Sequence, residues 1–193
     1  LYNNIRGLNH KGHTTRRGTS QFGLRMLTEI IPAYKKVFPQ VTIEITESNV
    51  PTLTRMILEE GIDCAVMALN CADAFAEEQV SLLRKEEVLF AVPAAHGYCL
   101  RNRTGIMTRE ELIHEFKDEN FMLSKKGSTL RELADRIFAS AGFQPSTMCE
   151  TNSIIATRAM VAKGIGVTFI ARSCVSDREN VAYCSLNPLM YGY

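Results

Sequence analysis

The sequence predicts an α/β fold. Helical and strand-like hydrophobic periodicities alternate along its 193 residues, the pattern of sheets covered by helices. One strand candidate, Ile62 to Leu69, is nearly all apolar apart from Asp63, the form parallel strands take when both faces are covered. Glycine and proline fall at the ends of most periodic segments, where chains turn.

Leu27, Ile30, Ile31, Tyr34 and Phe38 recur at helical spacing, so 21–38 is expected to be an amphipathic helix that Pro39 ends. Val41, Ile43 and Ile45 then alternate with Thr42, Glu44 and Thr46, the period of a strand with one face on a core. Leu53, Met56 and Ile57 form a short helical stripe stopped at Gly61, and the apolar strand from Ile62 follows. Residues 70–86 are acidic and irregular. Val88 to Val92 is the next compact strand, ended by Pro93.

Alternation resumes beyond it. Thr108 with Glu111 is a capping-box signature for a helix over 109–116, and Phe121 to Leu123 is a strand candidate. Leu130, Leu133, Ala134, Ile137, Phe138 and Ala141 give the cleanest helical stripe, expected to be capped by Thr129 with Glu132 and closed by Gly142. A strand around Met148, a helix from Ser153 to Lys163, and strands at Ile165 to Ile170 and Val181 to Leu186 complete the reading.

Composition is that of a globular body: 46% hydrophobic, 22% charged, with a formal charge of +1. It supplies no basic field for nucleic acid or membrane. Arg6, Lys11, Arg16, Arg17 and Arg25 all precede the first acid, Glu29, and are read as an exposed lead-in. The cysteines, Cys64, Cys71, Cys99, Cys149, Cys174 and Cys184, show no CxxC or zinc spacing and are expected to be buried reduced thiols. With no apolar stretch long enough to span a bilayer and no signal-peptide pattern, the expected compartment is the cytoplasm.

Glycine and two hydroxyls precede two strong helices, at Gly18, Thr19, Ser20 and at Gly127, Ser128, Thr129. Helix N-termini offer unpaired amides and the positive end of the dipole, so both suit a small anion such as a carboxylate, sulfate or phosphate. Plain helix capping explains the same residues taken singly. Asn152 and Ser153 head a third helix as weaker companions, and Gln21, Ser48, Asn49 and Thr168 complete the candidate ligand-binding set. The sequence contains no Walker loop, GxSxG elbow or HExxH motif, and Gly164 to Val167 lacks the third glycine of a dinucleotide fingerprint. His10, His13, His96 and His114 are read as surface or capping residues, and no catalytic group, metal or cofactor is expected.

In order along the chain, Ile31–Pro32, Phe38–Pro39 before Val41, Gly61–Ile62–Asp63, Val92–Pro93 with His96, Gly127 to Arg131, Gly142–Phe143 before Pro145, and Lys163–Gly164–Ile165–Gly166 form a set. The set resembles the LysR-type transcriptional regulators from about Thr14 to Leu189. The resemblance implies a periplasmic-binding-protein type II-like architecture. In it, two Rossmann-like lobes are joined by two crossover strands, near Phe90 to Val92 and Asn180 to Tyr183, with a small-molecule effector held between the lobes. It divides the chain into a lead-in over 1–13, lobe I over 14–90 and 181–193, and lobe II over 91–180.

The family's N-terminal helix-turn-helix, which would carry DNA binding, is not in this sequence, and a homodimer or homotetramer is implied. A peroxide-sensing branch of the family has its reactive cysteine where this chain has Thr129, so redox sensing is not expected. A solute-binding protein of an importer and an enzyme on the same scaffold are the competing readings. Six unpaired cysteines weigh against export, and hydroxyls with amides suit holding better than transforming.

Overall fold

A computed structural model describes residues 14–19, 21–69, 75–102 and 104–192. The chain divides into two compact units, Leu1–Ala68 and Leu69–Tyr193.

In the first unit, β1 (Thr14–Thr19) leads into α1 (Gln21–Val37), β2 (Thr42–Glu47), α2 (Val50–Leu58) and β3 (Cys64–Val66). The strands form a parallel sheet in the order β2-β1-β3, with Arg17 opposite both Ile45 and Cys64. Strand β1 is therefore central, and the lead-in reading fails for Arg16 and Arg17, as it does for Arg25 within α1. The strand was invisible to periodicity because Thr-Thr-Arg-Arg-Gly-Thr has no apolar residue to alternate.

Gly18 lies within this strand rather than in a turn. A Cβ there would come within 2.7 Å of Leu53 Cδ2 and collide with Ile62 Cδ1, so a larger residue would require both side chains to shift. Among the described residues of this unit, Leu27, Val41, Leu53 and Ile62 are the buried large apolar ones. The expected doubly covered strand is short, and its Cys64 is exposed, so the cysteine reading is corrected at that position.

The second unit contains β4 (Glu86–Pro93), α3 (Gly97–Arg101), β5 (Ile106–Thr108), α4 (Arg109–Phe116), β6 (Asn120–Leu123), α5 (Thr129–Ala141), β7 (Ser146–Glu150), α6 (Ile154–Ala162), β8 (Thr168–Ala171) and β9 (Val181–Gly192). One sheet runs β5-β9-β4-β8, and β6 pairs with β7 in parallel. A single parallel bridge, Phe121 to Val167, ties β6 to the approach of β8.

Strands β4 and β9 are antiparallel partners, with Phe90 opposite Cys184 and Val92 opposite Ala182. Strand β4 is covered on both faces: Val88, Phe90 and Val92 enter one apolar cluster, Leu89 and Ala91 another. That two-fold split is the strand period made visible. The first cluster is aromatic, with Phe90 edge-on to Phe116 at 5.0 Å and Phe121 edge-on to Phe138 at 5.2 Å.

The expected capping box at Thr108 and Glu111 is present. Helix α5, by contrast, is capped by Ser128, whose side chain accepts from Arg131 N–H, and Thr129 is the first helical residue. Two short elements, α3 and β5, had no periodic signal, and β9 continues to Gly192 rather than ending at Leu186.

Candidate functional site

The carboxyl ends of the parallel pair β6 and β7 each feed a helix, and the two turns are stitched together. Thr151 N–H donates to Leu123 O at 2.9 Å, and Lys125 N–H donates to Asn152 Oδ1 at 3.0 Å. Gly127 has a φ of 81°, a left-handed conformation suited to glycine, and it turns the chain into the extended Ser128. Ser128 Oγ then accepts from Arg131 N–H at 3.2 Å and donates to Lys125 O at 2.9 Å. Ser153 caps α6 in the same manner, accepting from Ala156 N–H at 3.3 Å.

Behind these turns lies a charge network. The nearly buried Arg131 donates to Asp135 Oδ1 at 2.8 Å, to Glu150 Oε1 at 2.5 Å and to Ser124 O at 3.2 Å. Arg131's hydrogen bond holds the Glu150 carboxyl below the usual carboxylate range, with Lys126 and Lys125 acting in the same sense. Glu150 in turn, with Asp135, keeps Arg131 firmly charged. Arg131 carried one sequence signal, Asp135 four residues on in the same helix. Glu150, nineteen residues away, carried none.

The structure thus brings Gly127, Ser128, Thr129 and Asn152 to one place, at two helix N-termini. Thr168 is not there. Its buried hydroxyl donates to Met122 O at 2.6 Å and ties β8 to β6 inside the unit, which removes it from the ligand-binding set. In the first unit, Asn49 caps α2 by accepting from Thr52 N–H at 2.9 Å, and the half-buried Ser48 precedes it. Thr19 ends β1 and Gln21 begins α1, with side chains outside the description, and Ser20 lies outside the described residues.

His96 caps α3, its Nδ1 accepting from Tyr98 N–H at 3.1 Å, and His114 is exposed; His10 and His13 lie outside the described residues. Among the described residues, no group of three or more His, Cys, Asp or Glu could hold a metal ion. Cys99, Cys149 and Cys184 are free thiols, and Cys71 lies outside the described residues. Burial pushes the Cys184 thiol up to about 11 and raises Cys99 as well, both away from reactive thiolate. No helix among the described residues is long and apolar enough to cross a membrane.

Two α/β units with strand-to-helix turns at the ends of parallel strands are the architecture of a ligand-binding domain, and the family match gives its class. The chain belongs to the family described as "LysR substrate binding domain", whose model matches residues 18–189. It is 26% identical over 163 residues to a "Probable RuBisCO transcriptional regulator" of Trieres chinensis, a match covering 82% of this chain and 51% of that protein. Among solved structures it is similar to the CcmR regulatory domain of Synechocystis PCC6803 in complex with 2-PG, at a TM-score of 0.74 and 13% identity, covering 93% of this chain and 85% of that one. It is also similar to the BenM effector binding domain with its effector benzoate, at a TM-score of 0.70 and 23% identity, covering 93% and 81%.

These likenesses confirm the two-lobed periplasmic-binding-protein type II-like fold. The family is one of effector-binding domains of LysR-type regulators, not of enzymes. The chain spans about half the length of the curated relatives it matches.

Proposed function

We propose that the effector of this domain is a small anion, a carboxylate above all. In this reading the Gly127–Thr129 turn and Asn152 receive it in the second unit, and Ser48 with Asn49, at the turn into α2, form the candidate turn of the first unit. The observation that carries the reading is the bond from Lys125 N–H to Asn152, which joins two helix N-termini at the ends of neighbouring parallel strands. α/β folds collect ligands at such ends, where amides and helix dipoles favour negative charge. Benzoate, the effector named for BenM, is a carboxylate.

An effector that gains contacts in one arrangement of the domain shifts the population toward it, and that shift is the signal. In the parent protein the signal controls DNA binding through a separate segment. The parent is cytoplasmic and a homodimer or homotetramer. The antiparallel pair β4 and β9 serves as the two crossovers, with 14–90 and 181–193 as lobe I and 91–180 as lobe II.

A thermal-shift screen against benzoate, shikimate, sulfate and phosphate tests the anion, because a ligand of the folded state raises the melting temperature. Calorimetry with any hit then measures Ser128→Ala and Thr129→Ala, each expected to weaken binding roughly tenfold, about 1.4 kcal/mol. Unchanged affinity in both variants would place the site elsewhere.

A further inference from the structure

We infer that Arg131 is the positioning residue of the α5 turn and that it also sets the charge an incoming ligand meets. This inference rests on the anion-binding reading of that turn. Arg131 is engaged from both ends. Its N–H is the donor that Ser128 caps, and its guanidinium reaches out of the helix to the carbonyl of Ser124, where the turn leaves β6. The turn from Ser124 to Ser128 is thereby clamped at its start by the side chain and at its finish by the backbone of one residue. A guanidinium suits this because its planar fork offers several donors in fixed directions; an ammonium has the charge without the fork.

The second role follows from Glu150. Its carboxylate sits at the end of β7, just before the Thr151 and Asn152 that meet the α5 turn. Left alone, that charge would repel an anion at the helix N-termini. At 2.5 Å from Arg131 it is partly offset in place, and Asp135, the other acidic partner of the same guanidinium, lies one turn further along α5. The two roles separate chemically, since Arg131→Lys keeps the charge and loses the fork, whereas Glu150→Gln keeps an acceptor and loses the charge.

The test is backbone amide hydrogen exchange over residues 125–130 of the whole chain, with and without inorganic sulfate as the probe. Without sulfate, Arg131→Lys is expected to exchange at least tenfold faster in this turn, with α1 and α2 unchanged, and Glu150→Gln is expected to match the wild type. With sulfate, Glu150→Gln is expected to be protected at a several-fold lower concentration than the wild type, because one negative charge is removed from beside the turn and Arg131 and Asp135 then balance each other. Wild-type exchange in Arg131→Lys overturns the positioning role. An unaltered sulfate response in Glu150→Gln, where the wild type does respond, overturns the charge role.

Sulfate protection in no variant, with fast exchange in Arg131→Lys, sinks the anion reading and the charge role together and leaves the positioning role standing. Arg131→Met, if it folds, is expected to raise exchange as Arg131→Lys does and also to abolish the sulfate response. A retained response in that variant counts against the charge role.

Discussion

Two turns of this molecule do the same job with different support. In the first unit, β2 passes through Ser48 to Asn49, which caps α2 by accepting from Thr52 N–H at 2.9 Å. In the second, β6 passes through residues 124–128 to Ser128, which caps α5 and also holds Lys125 O, while Arg131 and Asn152 brace the same turn from its helix and from the neighbouring strand end.

The supporting strands differ accordingly. Thr42, Glu44, Ile45 and Glu47 of β2 are exposed, whereas Phe121, Met122 and Leu123 of β6 are buried. A turn anchored on a packed strand can carry a charged brace, because the partners are held in register and little side-chain order remains to be lost. Cap chemistry alone therefore does not tell how well a turn is organised; the packing beneath it does.

The largest expected effect tests that packing. Phe121 is fully buried among Phe138, Phe143 and Phe90, so Phe121→Ala is expected to destabilise by about 3 to 5 kcal/mol in urea unfolding. Ile45→Ala, on the exposed side of the comparison, is expected to change stability by about 0.5 kcal/mol or less. Equal losses would break the contrast between the strands. Next comes Gly18→Val in β1, where added methyl groups meet Leu53 and Ile62. A loss of about 1 to 3 kcal/mol is expected, and no loss would show that the first unit is looser than its geometry implies.

A smaller effect concerns pH. Arg172 Nε donates to Glu87 Oε2 at 2.6 Å, and this bond, working against burial, holds the Glu87 carboxyl below its ordinary value of 4.5. A depressed folded-state pKa contributes stability that is fully present above the unfolded-state value and is lost as pH falls through the folded one. Glu87→Gln is therefore expected to lower the melting temperature at pH 7, and the gap to the wild type should close below about pH 4. Melts across that range that keep a constant gap would mean the pair contributes through shape rather than charge.

How far the sequence carried this reading depends on where each element draws its stability. Helices α1, α4, α5 and α6 were legible because their own residues carry an apolar stripe or a cap. Strand β1 was not, since its place at the centre of a sheet comes from β2 and β3 on either side and its own residues are threonine, arginine and glycine. The Gly127–Ser128–Thr129 turn was legible from a glycine and two hydroxyls before a helix, although the cap fell one residue earlier than expected. The Arg131–Glu150 pair was not, because a contact between a helix and a strand nineteen residues on leaves no local pattern.

The smallest expected effect is also the sharpest comparison, since it sets Asn49→Ala against Ser128→Ala. Each removes one side-chain acceptor from a helix N-terminus, Thr52 N–H in the first case and Arg131 N–H in the second, so each is expected to cost about 1 kcal/mol of stability. If caps acted alone, the two variants would be equivalent in every measurement. Ser128 also donates to Lys125 O, and Lys125 N–H is the donor that reaches Asn152, so its loss should loosen both ends of the stitch between the α5 and α6 turns. Amide exchange in Ser128→Ala is therefore expected to rise at Lys125 and Ser153 as well as in the first turn of α5, whereas Asn49→Ala should raise it in the first turn of α2. Exchange confined to α5 in Ser128→Ala would show that the two turns of the second unit move independently, and that the bond between them organises nothing beyond itself.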